Sequence, residues 1–281
     1  MSLVIFYHIP KTAGSSFYSV AYENFDRSSL FIVDSSQTGH RASLEKVRSL
    51  PVEEKQKLRF ILGHGTFGLH AYFQQPCAYI TFLRDPIARM CSDFYHLTRT
   101  DAEIPERVAF KTSTPELDDC LKEGELHYGR NPYVKMLLGI KDRRYEATLE
   151  DLEKADHTLL EQFALVCPTD RFDEGLVLLN EKMGWKIKGY DRSNVADNYD
   201  RSAVNIDDLR DRYLSLYALD EELCQRWSRR FENELSKVND LERKLNILRL
   251  GVRQRTGTFH VKRPLWRRMG ARIRRILLPD V

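Results

Sequence analysis

Residues 3–16 read LVIFYHIPKTAGSS, and this stretch decides the fold. Its first five residues are continuously apolar, as in a strand buried on both faces of a parallel sheet. The run ends before Pro10, small and polar residues follow to Ser16, and Phe17, Val20 and Ala21 then fall on one side of a helix. Ser15 or Ser16 stands where a helix N-cap is expected. Outward from this strand, loop and helix, residues 59–62, 78–83 and 164–167 are further strand candidates, separated by segments of helical periodicity. Such alternation predicts an α/β fold, a parallel sheet flanked by helices. Pro86 marks the first turn of a helix reaching about Thr98, and residues 131–139, 147–162 and 171–183 also read as helices. Leu223, Trp227, Phe231, Leu235, Val238, Leu241, Leu245 and Leu248 recur three or four apart, which predicts one long helix over 220–250 and a helical C-terminal part.

The chain has 281 residues, of which 42% are hydrophobic, enough for one α/β domain over 1–250. The remaining segment, 251–281, is a basic amphipathic tail. From Arg249 onward ten Lys and Arg face one acid, Asp280, so the net charge of +3 belongs to the C-terminus and the body is acidic. An acidic body argues against nucleic acid as a partner, because phosphate neutralisation needs a basic face. Residues 258–281 suit contact with an anionic membrane, a polyanionic acceptor or the acidic body itself. Five cysteines, Cys77, Cys91, Cys120, Cys167 and Cys224, show neither zinc-ligand nor disulfide spacing. With no signal-peptide or membrane-spanning pattern, a cytoplasmic chain, peripheral to a membrane at most, is expected.

Three elements carry chemistry. The loop HIPKTAGSS holds Lys11, Thr12, Ala13, Gly14, Ser15 and Ser16 between a strand and a helix. Main-chain N–H groups at a helix N-terminus and a lysine charge suit an anion such as phosphate. The pattern GxxxxGK[ST] is absent, because Lys11 precedes the glycine, so ATP is the weaker expectation. The second element, ITFLRDPIARMCSDFYH, puts Arg84 just past a strand and Ser92 about two turns into the next helix, where both can address one anionic group. The third, GHGTFGLH, follows the strand 59–62 and sets His64 between two glycines. A neutral imidazole at a strand's C-terminal end can take a proton near pH 7, so His64 is the best general-base candidate. His40, His70 and His157 have no comparable position. Tyr128, Arg130 and Asn131 form a polar cluster that lines an acceptor cleft or caps the following helix.

Together the three elements resemble the sulfotransferases that use 3′-phosphoadenosine 5′-phosphosulfate, in particular the carbohydrate branch with the heparan sulfate 2-O- and 6-O-sulfotransferases. HIPKTAGSS looks like the 5′-phosphosulfate loop, FLRDPIARMCSDFYH like the 3′-phosphate element, and the histidine after LG like the catalytic base. Weaker similarity continues through NPYVKMLLG, ALVCPTDRFDEGLVLL and the SNV at residues 193–195. The resemblance implies a P-loop-like sheet and a 5′-phosphosulfate held by residues 11–16. It further implies a 3′-phosphate held by Arg84 and Ser92, His64 as base, Lys11 stabilising the leaving phosphate, and no metal. A carbohydrate or glycolipid acceptor is implied, with Arg130, Arg192 and Asn194 as candidate contacts.

The loop reads KTAGSS where a common family form is KTGGTS, and Ala13 is expected to be tolerated at a negative φ. The 2-O-sulfotransferase form has a second histidine two residues before the base; Leu62 stands there, so a one-histidine mechanism is expected. Two rival readings are a small-molecule kinase using ATP and magnesium, against which the lysine order speaks, and a non-catalytic nucleotide-binding scaffold, against which His64 speaks.

Overall fold

The computed structural model describes residues 2–34, 37–99, 116–124, 126, 128–192 and 205–254. Asn194, the SNV stretch and the tail segment 258–281 lie outside them.

A five-stranded sheet is built from β1 (Leu3–Tyr7), β2 (Leu30–Ile32), β3 (Phe60–Gly63), β4 (Cys77–Leu83) and β5 (Phe163–Pro168). All its pairings are parallel, in the order β2-β3-β1-β4-β5. The short edge strand β2 escaped sequence reading, because three half-buried residues carry no periodicity. Helices α1 (Gly14–Asn24), α2 (Gln37–Ser49), α3 (Val52–Lys57), α4 (Pro86–Arg99), α5 (Leu117–Glu123) and α6 (Pro132–Leu137) lie between and after the first four strands. They are followed by α7 (Leu149–Gln162), α8 (Phe172–Met183), α9 (Ile206–Tyr213), α10 (Ala218–Leu235) and α11 (Leu241–Leu250). The chain therefore has an α/β fold with a parallel, P-loop-like sheet and a helical C-terminal part.

The central strand shows why its sequence had to be continuously apolar. Leu3, Ile5 and Tyr7 join one core cluster with Leu152, Ala155 and Leu159 of α7 and Leu223 and Trp227 of α10. Val4 and Phe6 join the other, with Phe17 and Val20 of α1, Leu176 and Leu179 of α8, and Phe231 and Leu235 of α10. Successive side chains point to opposite faces of a sheet, and here both faces are covered. A third cluster gathers Ile87, Met90 and Phe94 of α4 with Leu121, Leu209 and Tyr217.

The long helix expected over 220–250 is instead two helices, α10 and α11. Asp240 adopts a left-handed φ of 53°, which breaks the helical path before Leu241. The three-and-four spacing of Val238, Leu241, Leu245 and Leu248 runs on because both helices pack on the same cluster. Periodicity reports a shared face and does not require one axis.

Candidate active site

The sheet order puts the sequence-predicted residues on one edge. From β1 the chain builds β2 and β3 on one side, then crosses to β4 and β5 on the other. At such a reversal, the crevice beyond the strands' C-terminal ends is where open α/β sheets bind ligands. His8, His64 and Arg84 are the residues that directly follow the adjacent strands β1, β3 and β4. Tyr7 pairs with Gly63, so the next residues, His8 and His64, are side by side.

The loop after β1 is tightly wound. Lys11 and Ala13 adopt left-handed φ values of 69° and 62°, and α1 begins at Gly14 with Ala13 in the N-cap position and no side-chain cap. Two expectations are corrected here. Ser15 and Ser16 lie in the first turn and do not cap the helix, and Ala13 does not have a negative φ. A left-handed residue is needed to turn the chain from the strand into the helix, whatever side chain it bears. The first N–H groups of a helix have no acceptor one turn back, and the positive end of the α1 dipole faces this loop. Thr12 is fully buried and its hydroxyl donates to the Ile9 carbonyl at 2.8 Å, so its side chain shapes the loop from within. Left-handed backbone costs a residue with a Cβ about 1–2 kcal/mol. Part of that is regained by the unfolded chain when glycine is introduced. Ala13→Gly is thus expected to raise stability by about 0.5–1 kcal/mol in urea unfolding; a loss of stability would refute the loop geometry.

Gly14 is required for another reason. A Cβ on it would lie 1.8 Å from Nε2 of His8, because the His8 ring rests against the Gly14 backbone. That ring also stacks on His64, with centroids 4.1 Å apart and planes at 22°. Burial first, then the charges of His64 and Lys11, holds the His8 pKa well below the ordinary histidine value, so the ring is neutral.

His64 is held from several directions. Its Nδ1 lies 2.7 Å from the His8 carbonyl oxygen, which can only accept, so Nδ1 carries a hydrogen, and in the neutral ring Nε2 then has the lone pair. The His64 carbonyl accepts from Nε2 of His40 at 3.0 Å. Two residues on, the buried Thr66 hydroxyl donates to the Phe6 carbonyl at 2.9 Å. His40, read as having no comparable position, therefore steadies the main chain of the candidate base.

Arg84 leaves β4 with its main chain clamped by Tyr133. The phenol donates to the Arg84 carbonyl at 2.8 Å and accepts the Arg84 N–H at 3.1 Å. Asp85 accepts the Ala88 N–H at 2.7 Å, capping α4, and pairs with Arg210. Ser92 lies half-buried in the second turn of α4. Behind Tyr133, α6 and α10 cap each other. The Asn131 side-chain oxygen accepts the N–H groups of Leu219 and Asp220, while the Asp220 carboxylate accepts those of Tyr133 and Val134 at 2.8 and 3.0 Å. Asn131 is thus a cap, but for the helix that begins at Ala218.

Of the candidate acceptor contacts, Arg130 and Arg192 lie among the described residues, each with protein partners of its own. Arg130 donates to the Lys122 carbonyl at 2.7 Å and lies 3.6 Å from Glu146. Arg192 donates to the Tyr190 phenol at 3.3 Å and lies 3.8 Å from Asp173. Sequence reading missed His8, His40 and Thr66 as neighbours of His64. For His8 the signal was present, since it follows β1 just as His64 follows β3.

A heparan sulfate 2-O-sulfotransferase 1 from Pongo abelii is 22% identical to the chain over 200 residues, covering 66% of this chain and 56% of that protein. The chain thus spans little more than half the length of the curated relative it matches. No family model matches. The likeness supports a sulfotransferase-like relationship. Among the described residues, no helix is long and apolar enough to cross a membrane.

Proposed function

We propose that the chain is a sulfotransferase that moves the sulfuryl group of 3′-phosphoadenosine 5′-phosphosulfate to a hydroxyl, most plainly that of a carbohydrate. The observation that carries this reading is the placing of His64 and the anion loop after neighbouring parallel strands, joined through His8 and Gly14. The named relative adds weight to both the reaction and the acceptor class. In the reaction, Nε2 of His64 takes the hydroxyl proton as the acceptor oxygen attacks sulfur. The new O–S bond forms while the bond from sulfur to the bridging phosphate oxygen breaks, and that oxygen keeps the electron pair. Lys11 and the N-terminus of α1 offset the charge that develops there, and the 5′-phosphate leaves on 3′-phosphoadenosine. Thr12, Ala13, Gly14, Ser15 and Ser16 form the remainder of the 5′ cradle, and Arg84 and Ser92 hold the 3′-phosphate.

A thermal-shift comparison tests the donor. 3′-phosphoadenosine 5′-phosphate at 100 times its Kd is expected to stabilise the chain by about 2.7 kcal/mol, with no comparable shift from ATP and magnesium. Equal shifts from both, or none from the first, would sink the donor assignment. Transfer of labelled sulfate to a panel of glycan acceptors then tests the acceptor class; no labelled glycan would reject it.

A further inference from the structure

We propose that His8 is the positioning residue for His64: its ring fixes the plane of the His64 ring by stacking, and its contact with Gly14 ties the base to the anion loop. The inference rests on reading His64 as the base. Its warrant is a set of contacts that meet on one residue.

The main-chain carbonyl of His8 accepts from His64 Nδ1 at 2.7 Å, and its side chain covers one face of the same ring at 4.1 Å. The His8 ring also stacks on Phe6 at 5.3 Å and 16°, and Tyr18 meets it edge-on at 5.6 Å. The Phe6, His8 and His64 rings thus form a pile that begins in the core, on a residue fully buried in β1. Because the His8 ring lies where a Cβ of Gly14 would be, the first residue of α1 cannot move toward β1 without moving the pile. The groups of titratable or charged kind that act on His8 are His64 and Lys11, and both disfavour a proton on it. Nδ1 of His8 is buried with no hydrogen-bond partner among the described residues, so the flat shape of the ring, more than its nitrogens, does the positioning.

The arrangement leaves the expected one-histidine mechanism in place, with His8 in a positioning role only. Leu62 removes the partner two residues upstream, yet a second imidazole arrives from the neighbouring strand.

The test uses the full chain with His8→Leu, which fills the space without a flat face, and His8→Phe, which restores one. A misplaced base costs about 100-fold, so His8→Leu is expected to lower kcat by about that factor while leaving the donor KM within about threefold. His8→Phe, which also removes an unsatisfied buried nitrogen, is expected to recover at least about tenfold of that loss. Wild-type kcat in His8→Leu, or a loss in His8→Phe as deep as in His8→Leu, would overturn the proposal. A second readout does not need turnover: nitrogen NMR of the histidine rings should show His64 as the Nδ1–H tautomer in the wild type and in His8→Phe, and a tautomer mixture in His8→Leu. An unchanged His64 spectrum in His8→Leu would overturn the positioning role. Absence of sulfuryl transfer by the wild type, with the NMR result as expected, would instead reject the enzymatic reading.

Discussion

His64→Asn is expected to lower the rate of sulfuryl transfer by about 10²–10⁴-fold, the range that a positioned general base contributes. Asparagine is the informative replacement because its amide can still donate to the His8 carbonyl, as Nδ1–H of His64 does. What it lacks is the lone pair that Nε2 presents. Binding of 3′-phosphoadenosine 5′-phosphate should stay within about threefold of wild type, since the proposed phosphate cradle is built from other residues; a loss confined to kcat marks a group acting in the transition state. Single-turnover rates beside calorimetric titration measure the two quantities separately. Turnover within tenfold of wild type would remove His64 from the mechanism, and a parallel loss of nucleotide binding would make it a structural residue of the loop.

The second large effect lies away from the chemistry, at Asp220. Its carboxylate is fully buried and accepts two N–H groups at the N-terminus of α6. Asp220→Ala leaves both donors buried without an acceptor, which is expected to cost about 3 kcal/mol in urea unfolding. The loss should also weaken 3′-phosphoadenosine 5′-phosphate binding, because the helix it caps carries Tyr133, and Tyr133 clamps the Arg84 main chain. Asp220 further makes stability pH-dependent. Burial raises its pKa to about 7, against the opposing pull of the Tyr133 and Val134 N–H groups, Arg89 and Lys135. Its unfolded value is about 3.9, so between about 4 and 7 the folded chain holds a proton that the unfolded chain has lost. The Asp220 contribution is therefore complete below about pH 4 and declines as pH rises, by at most about 1.4 kcal/mol per unit, until it levels off above pH 7. The stability difference between wild type and Asp220→Asn should shrink from pH 5 to pH 8. A difference independent of pH, or one that grows, would contradict a raised carboxylate pKa.

Much of the architecture was legible because buried strands and helix faces leave local marks. The run LVIFY and Pro86 opening α4 lie where periodicity and turn chemistry put them, and the strands expected over 59–62 and 78–83 are found within one residue of those bounds, at Phe60–Gly63 and Cys77–Leu83. The errors arose where several conformations satisfy one local pattern. An apolar stripe continues across the break at Asp240, and serines near a helix start read as caps when the cap position falls on Ala13. Asn131 was ambiguous for the same reason: its type announces a cap, and only packing decides which helix receives it.

The sequence by itself determined that His64 and Arg84 stand at strand ends and that Lys11 lies in the loop just beyond one, since apolar runs precede all three. Only the tertiary structure decided that the three strands are neighbours, that His8 lies against His64, and that Gly14 is indispensable beneath the His8 ring. The physical reason is that parallel pairing joins residues more than fifty positions apart, through hydrogen bonds that any strand offers equally. The opening loop therefore remains the candidate anion site, now with its proposed base assembled on it from the adjacent strand.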